Sequence, residues 1–208
     1  MMRRVLLLVL LCCTFSWPAF AQSDASAAVF SSERPAFGEK LQLQGIPNAG
    51  KISDSLYRGA QPRERGLPEL KKLGITTIVD LRSEDREKAE WERRRAEALG
   101  IRFVHIPVGG WSAPSDEQIA QFLLLFRDDP RQKVFVHCHL GEDRTGVFVA
   151  AYRMALEKWP VERAAKEMNY FGFNGFWHPA MKSFIRDFPA HLNAAPALSS
   201  LHPADAHP

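Results

Sequence analysis

The chain has 208 residues with 27 Lys and Arg against 24 Asp and Glu, a formal net charge of +3, and three cysteines. That length suits one domain of ordinary size, and the absence of a lysine- or arginine-rich stripe argues against nucleic acid as a partner.

The first element is a targeting pattern. Arg3 and Arg4 form a positive start, Val5 to Leu11 an apolar run, and Ala19-Phe20-Ala21 the small-residue cleavage site of a signal peptide. Residues 1–21 are therefore expected to be removed, leaving Gln22 first, in an exported protein, periplasmic or secreted. The apolar run falls short of the ~20 residues that a membrane span needs, and Pro18 interrupts its end, so no stable membrane anchor is expected. Leu11 before Cys12 also fits a lipoprotein box poorly. Removing Arg3 and Arg4 lowers the net charge to +1, and removing Cys12 and Cys13 leaves Cys138 alone. A lone cysteine in an exported chain cannot form an internal disulfide, so it reads as a candidate nucleophile.

Residues 22–39 are rich in Ser, Ala and Pro and are expected to form a flexible lead-in; residues 191–208 are expected to form a loose tail, bounding a domain over 40–190. Inside it, Leu67 to Leu73 predicts a short helix closed by Gly74. Thr76 to Leu81 and Phe103 to Val108 predict buried strands, and Glu84 to Leu99 a charged helix ended by Gly100. Ser115-Asp-Glu-Gln118 resembles a capping box, with its helix running through Phe126. Val134 to His137 is a short, strongly apolar strand. Arg144 to Lys158, Val161 to Asn169 and Pro179 to Asp187 predict three more helices. Strands alternating with helices imply an α/β domain whose central sheet is largely parallel and flanked by helices.

The densest chemistry lies in His137-Cys-His-Leu-Gly-Glu-Asp-Arg-Thr-Gly146. A strand ends in a thiol, a tight loop follows, and a guanidinium stands where a helix begins. Backbone N–H groups at such a turn converge, and the helix dipole favours negative charge there, which suits both a thiolate and a phosphoryl group. Gly141 allows the turn. Arg144 can give two parallel donors to phosphate oxygens, as a lysine cannot. Thr145 can give its hydroxyl to the thiolate or to departing phosphate. His139, Leu140, Gly141, Glu142, Asp143, Arg144 and Thr145 are the expected phosphate-binding residues.

The His-Cys-x2-Gly-x2-Arg-Thr-Gly pattern resembles the signature of the cysteine-dependent protein tyrosine and dual-specificity phosphatases. Leu56-Tyr-Arg-Gly-Ala-Gln-Pro62 and Ile78-Val-Asp-Leu-Arg-Ser83 are similar to early segments of compact, bacterial dual-specificity-like members. The resemblance implies that Cys138 attacks phosphorus, that a phosphocysteine forms, and that water hydrolyses it, with no metal and no cofactor. The expected partner is then a phosphorylated substrate, a phosphoprotein or small phosphomonoester. The family usually carries an aspartate about thirty residues before the cysteine as proton donor. Here that stretch is His105-Ile-Pro-Val-Gly-Gly-Trp-Ser112, without an acid. Asp143, which some secreted bacterial and lipid-directed relatives share, and Asp116 are the two candidates. Asp116 also fits as a first-turn helix acid behind the Ser115 cap.

Other residues have two readings each. Asp80 and Arg82 fit a polar pair beneath the site or a strand end facing solvent. Trp111 fits a substrate ring contact or a packing anchor, and Tyr170 to Trp177 a pocket rim or core. His139 fits a substrate contact or a solvated side chain, whereas His137 reads as orienting the loop from inside the sheet. Alternative functions are a phosphate-binding pseudophosphatase, an inositol phosphate or phosphoinositide phosphatase, and a rhodanese-like sulfurtransferase. Glu142 and Asp143 beside one arginine argue against highly charged substrates. The seven histidines are scattered without metal-ligand spacing, and nothing in the pattern fixes an oligomeric state.

Overall fold

The structure is a computed structural model and describes residues 37–129 and 131–201, without the side chains of Asp128 and Ser200. The expected signal peptide and nearly all of the lead-in lie outside the described residues. Six strands form one sheet: β1 (Glu39–Lys40), β2 (Gly50–Lys51), β3 (Leu56–Ala60), β4 (Thr77–Arg82), β5 (Arg102–Val108) and β6 (Val134–Cys138), in the order β1-β2-β3-β6-β4-β5. Strands β3, β6, β4 and β5 run parallel; β1 and β2 add an antiparallel edge. The largely parallel α/β fold expected from the sequence is the one observed. Strand β6 lies between β3 and β4, with His137 opposite Gly59 on one side and Asp80 on the other.

The alternation of side chains along the strands divides the interior in two. Val79, Leu81, Val134 and Val136 pack with α3 (Asp116–Asp128), α4 (Asp143–Ala155), α5 (Val161–Tyr170) and α6 (Pro179–Ala194). Ile78 and Phe135 point the other way, packing with residues of α1 (Gly66–Lys72) and α2 (Arg86–Ala98). The same alternation sends Asp80, Arg82 and His137 towards α2, and Cys138 towards α4. Helix α4 is enclosed, with every residue from Arg144 to Ala155 buried.

Three expectations need correction. Strand β3 has no counterpart among the elements expected from the sequence, because Arg58 and Gly59 break its apolar run; its neighbours in the sheet, not its own composition, make it a strand. Helix α6 passes Asp187 and holds Pro189 in its interior, where a stop was expected. Residues 191–201 are not a loose tail. Helix α6 continues to Ala194, and a 3₁₀ turn over Pro196–Leu201 buries Leu198 completely. Sparse apolar content hid this: Leu198 is the fully buried anchor, with Leu192, Ala195, Ala197 and Leu201 partly buried against the same core. Residues 202–208 lie outside the described residues. No helix among the described residues is long and apolar enough to cross a membrane.

Candidate active site

The carboxyl ends of β3, β4, β5 and β6 meet along one edge of the sheet, where parallel α/β sheets place ligands. Cys138 is the last residue of β6 and is 3% exposed. Residues 139–142 form the loop, and α4 opens at Asp143. Thiol, loop and guanidinium are thus brought together as the sequence suggested.

Gly141 has φ of +72°, and a Cβ there would stand 2.3 Å from the carbonyl carbon of Gly59. Only glycine allows the loop to lie against β3. Its carbonyl accepts from the Asn48 side-chain amide at 3.1 Å and from Arg58 Nη2. Asn48 also donates to the Phe171 carbonyl at 2.9 Å, linking the loop to the segment after α5. The Gln61 backbone N–H donates to the His139 carbonyl at 3.2 Å.

Arg58 was not singled out as a site residue by sequence reasoning. It is fully buried, and its guanidinium sits over the Phe171 ring at 4.1 Å. Burial lowers its pKa to about 10, against the opposing pull of Cys138, Glu167 and Glu142. A permanent positive charge thus lies under a loop that would hold a thiolate and a phosphate. The signal was available: a lone arginine within an otherwise apolar stretch, Leu56-Tyr-Arg-Gly-Ala.

Arg144 is buried and reaches into the site. Its Nη1 and Nη2 donate to the two carboxylate oxygens of Glu84 at 2.7 Å each, and Nη1 also donates to the Val108 carbonyl at 3.1 Å. This fork-to-fork pair holds the guanidinium plane in place. The hydrogen bond from Arg144 holds the Glu84 carboxyl down at about 2. For Arg144, burial works against the charge, but Glu84 and Cys138 outweigh it and raise its pKa. The sequence pattern places Glu84 only at the start of a charged helix. Its signal was positional: an acid just past the carboxyl end of a parallel strand.

Beneath the loop lies a buried charge network. Arg82 donates Nε and Nη2 to the two oxygens of Asp80, and Nη2 to Glu92 at 2.9 Å. His137 Nε2 lies 2.9 Å from Glu92 Oε1, an ion-pair contact whose angle falls short of a hydrogen bond. Its Nδ1 bonds the Cys138 carbonyl at 3.1 Å. Burial disfavours a charged imidazole, yet Glu92 and Asp80 raise His137 to about 9. Asp80 and Arg82 therefore form the polar pair beneath the site rather than a solvent-facing strand end. Asp80, Glu92 and His137 offer ligand atoms within 4.8 Å of one another. Arg82 already supplies their countercharge, so the arrangement is that of a structural ion network.

The two acid candidates are placed differently. Asp143 opens α4, and its Oδ2 lies 3.2 Å from His178 Nε2. Asp116, in the first turn of α3, meets His191 Nδ1 of α6 at 2.8 Å. Thr145 Oγ1 is buried without a hydrogen-bond partner among the described residues. His139 and Leu140 are exposed at the loop crest, beside a depression lined by Arg63, Lys88 and Trp91. Glu142 is half-buried against Gly172; burial and the neighbouring Asp143 raise its pKa. Trp111, Phe176 and Trp177 are exposed aromatics at 70%, 80% and 60%, whereas Phe171 and Phe173 of the same aromatic segment are core residues.

The Pseudomonas aeruginosa dual specificity protein phosphatase TpbA is 27% identical over 148 residues, spanning 71% of this chain and 62% of that protein, so the chain matches less than two thirds of its length. NAD kinase 2, chloroplastic, of Arabidopsis thaliana is 29% identical over 107 residues, 50% of this chain and 11% of that protein. Among solved structures, P. aeruginosa TpbA superposes with a TM-score of 0.61 at 24% identity, covering 74% of this chain and 92% of that one. The catalytic core of the S. cerevisiae PP-IP phosphatase SIW14 gives 0.58 at 17% identity, covering 76% and 98%. At these identities the structures establish the fold. The family model described as "DSP-PTPase phosphatase fused to NAD+ Kinase" matches residues 45–187, which hold the Gly141 cradle, Cys138 and Arg144, and the chain belongs to that family of cysteine-dependent phosphatases.

Proposed function

We propose that the chain is an exported phosphomonoesterase, acting on phosphotyrosine or related phosphorylated residues of proteins. Cys138 Sγ attacks phosphorus, Arg144 and the loop N–H groups hold the phosphoryl oxygens, and Asp143 gives the leaving oxygen its proton. One observation carries this reading: a single turn joins a thiol at the end of the central strand to a guanidinium whose plane Glu84 already fixes. Asp143 is the favoured donor because it opens α4 directly after the loop and directly before Arg144, whereas Asp116 lies in the first turn of α3. Exposed rings at Trp111, Phe176 and Trp177 favour a substrate that presents an aryl group. A TpbA structure in complex with phosphotyrosine offers a parallel in a protein of the same fold. Export rests on the pattern of residues 1–21.

The test is a substrate panel of aryl phosphate, phosphopeptides, inositol phosphates and phosphoinositides, run on wild type and Cys138→Ser. Cys138→Ser should abolish turnover of the aryl phosphate and keep binding of a non-covalent phosphate analogue such as tungstate. Substantial residual turnover would overturn the nucleophile. Wild-type inactivity on every ester would leave a phosphate-binding protein instead. A thiosulfate and cyanide assay should give no sulfur transfer.

A further inference from the structure

Three elements converge beside the loop on one imidazole. His178 is the N-cap residue of α6, and Pro179 follows it, which keeps His178 out of helical conformation. Its φ of −123° and ψ of 62° turn it back towards the loop. Nε2 lies 3.2 Å from Asp143 Oδ2, an ion-pair contact not yet aligned as a hydrogen bond, and the two side chains are only 12% and 20% exposed. Nδ1 is buried and has no partner among the described residues. Among the described residues, the polar group within reach of this ring is the Asp143 carboxyl. Trp111 stacks on it, ring centroids 4.9 Å apart and planes 21° apart. Trp111 comes from the Gly109-Gly110-Trp111 turn after β5, the stretch without an acid.

We propose that His178 is the positioning residue for the proton donor, and that Trp111 holds His178 in plane, so that the turn after β5 serves the proton transfer without supplying the acid. This rests on the reading of Asp143 as donor. With its hydrogen on Nε2, a small turn of the imidazole into line lets it donate to Oδ2 and fix the carboxyl group, leaving Oδ1 to carry the proton. As Cys138 Sγ forms its bond to phosphorus, the P–O bond breaks with its electron pair on the leaving oxygen. The proton passes from Asp143 Oδ1 to that oxygen. The Nε2–H then remains bonded to the carboxylate left behind. In the second half, that carboxylate takes a proton from the water attacking phosphocysteine, and the phosphorus–sulfur bond breaks to return the thiolate. Other charged groups near Asp143 are Glu142 beside it and Arg144 after it; neither bonds Oδ2.

A residue that positions a proton donor matters most when the leaving group is a strong base. The experiment is kcat/KM on 4-nitrophenyl phosphate and phenyl phosphate, with vanadate binding as a check on the loop. It is run on wild type, Asp143→Asn, His178→Ala, His178→Gln and Trp111→Ala. His178→Ala should lose about tenfold on phenyl phosphate and only about twofold on 4-nitrophenyl phosphate. Vanadate binding should be kept, and His178→Gln, whose amide can donate from the same place, should recover most of the loss. Trp111→Ala should lose in the same direction by less. An equal loss on both esters, or no recovery with Gln, would overturn the positioning role in favour of a purely structural one. If Asp143→Asn shows the selective loss and His178→Ala does not, the inference falls and the donor stands. If Asp143→Asn shows no selective loss, the donor reading itself falls.

Discussion

At the scale of the residue, glycine, arginine and acid each answer to a different constraint in the loop. Gly141 is a matter of space. A Cβ would meet the Gly59 backbone at 2.3 Å, and no side chain could move to relieve it. Gly141→Ala is therefore expected to cost roughly 2–4 kcal/mol of stability, through strain at positive φ and displacement of the loop from β3. Aryl phosphate turnover should fall at least as far as that of Asp143→Asn, and vanadate binding should weaken, because the loop N–H groups lose convergence. Denaturant unfolding and vanadate titration check both; normal vanadate binding would show that the cradle tolerates the shift. Cys138, Gly141 and Arg144 were legible in the sequence because they fall together with His137, Thr145 and Gly146 in one contiguous strand–loop–helix pattern. Arg58 and Glu84 were not, because each reaches the site across the fold: Arg58 from β3 and Glu84 from beyond the end of β4. His178 was hidden for the same reason, standing 35 residues after Asp143 in sequence but 3.2 Å away in space.

Among elements, the buried network ties β4, β6 and α2 together just below the catalytic edge. Strand and helix types were legible from periodicity, and most ends moved by one to three residues. The Asp80–Arg82 pair was one of two readings the sequence offered, but its extension to His137 and Glu92 was not legible, because only the register that places His137 opposite Asp80 brings their side chains to the same face. Its titration has a defined sign. His137 is raised to about 9 in the folded chain from an ordinary 6.5. The protonated ring therefore contributes its full stabilisation below about 6.5, and loses it as pH rises through about 9. The loss is of the order of 3 kcal/mol if the unfolded chain titrates normally. Thermal melts between pH 6.5 and 9.5 should show the midpoint falling, with a flatter profile in His137→Gln. Identical slopes in both proteins would remove His137 as the source.

For the whole molecule, closure depends on the last described residues. Leu198 is fully buried, and the 3₁₀ turn carrying it packs against α3 and α6. Burying one leucine is worth roughly 2–3 kcal/mol, and each kcal/mol moves the midpoint of a domain of this size by about 2–4 °C. Ending the chain at Ala195 should lower the melting midpoint by about 4–12 °C, and Leu198→Ala should give most of that shift. A truncated chain melting like the full one would show that the turn adds nothing. The α/β architecture was legible from the order of strand and helix patterns, whereas this closure was not, since one buried leucine in a stretch of Ala, Ser and Pro leaves no periodic trace.

Helix α4 imposes a different kind of limit. It carries Asp143 and Arg144 at its start, and from Arg144 onward it has no solvent face. Twelve consecutive positions answer to packing while the first of them also answers to chemistry. Substitutions there cannot tune selectivity without taxing folding. Diversification of substrate preference is thus channelled to exposed side chains outside this helix, such as His139, Leu140, Phe176 and Trp177, which can be exchanged while the frame that holds them stays fixed.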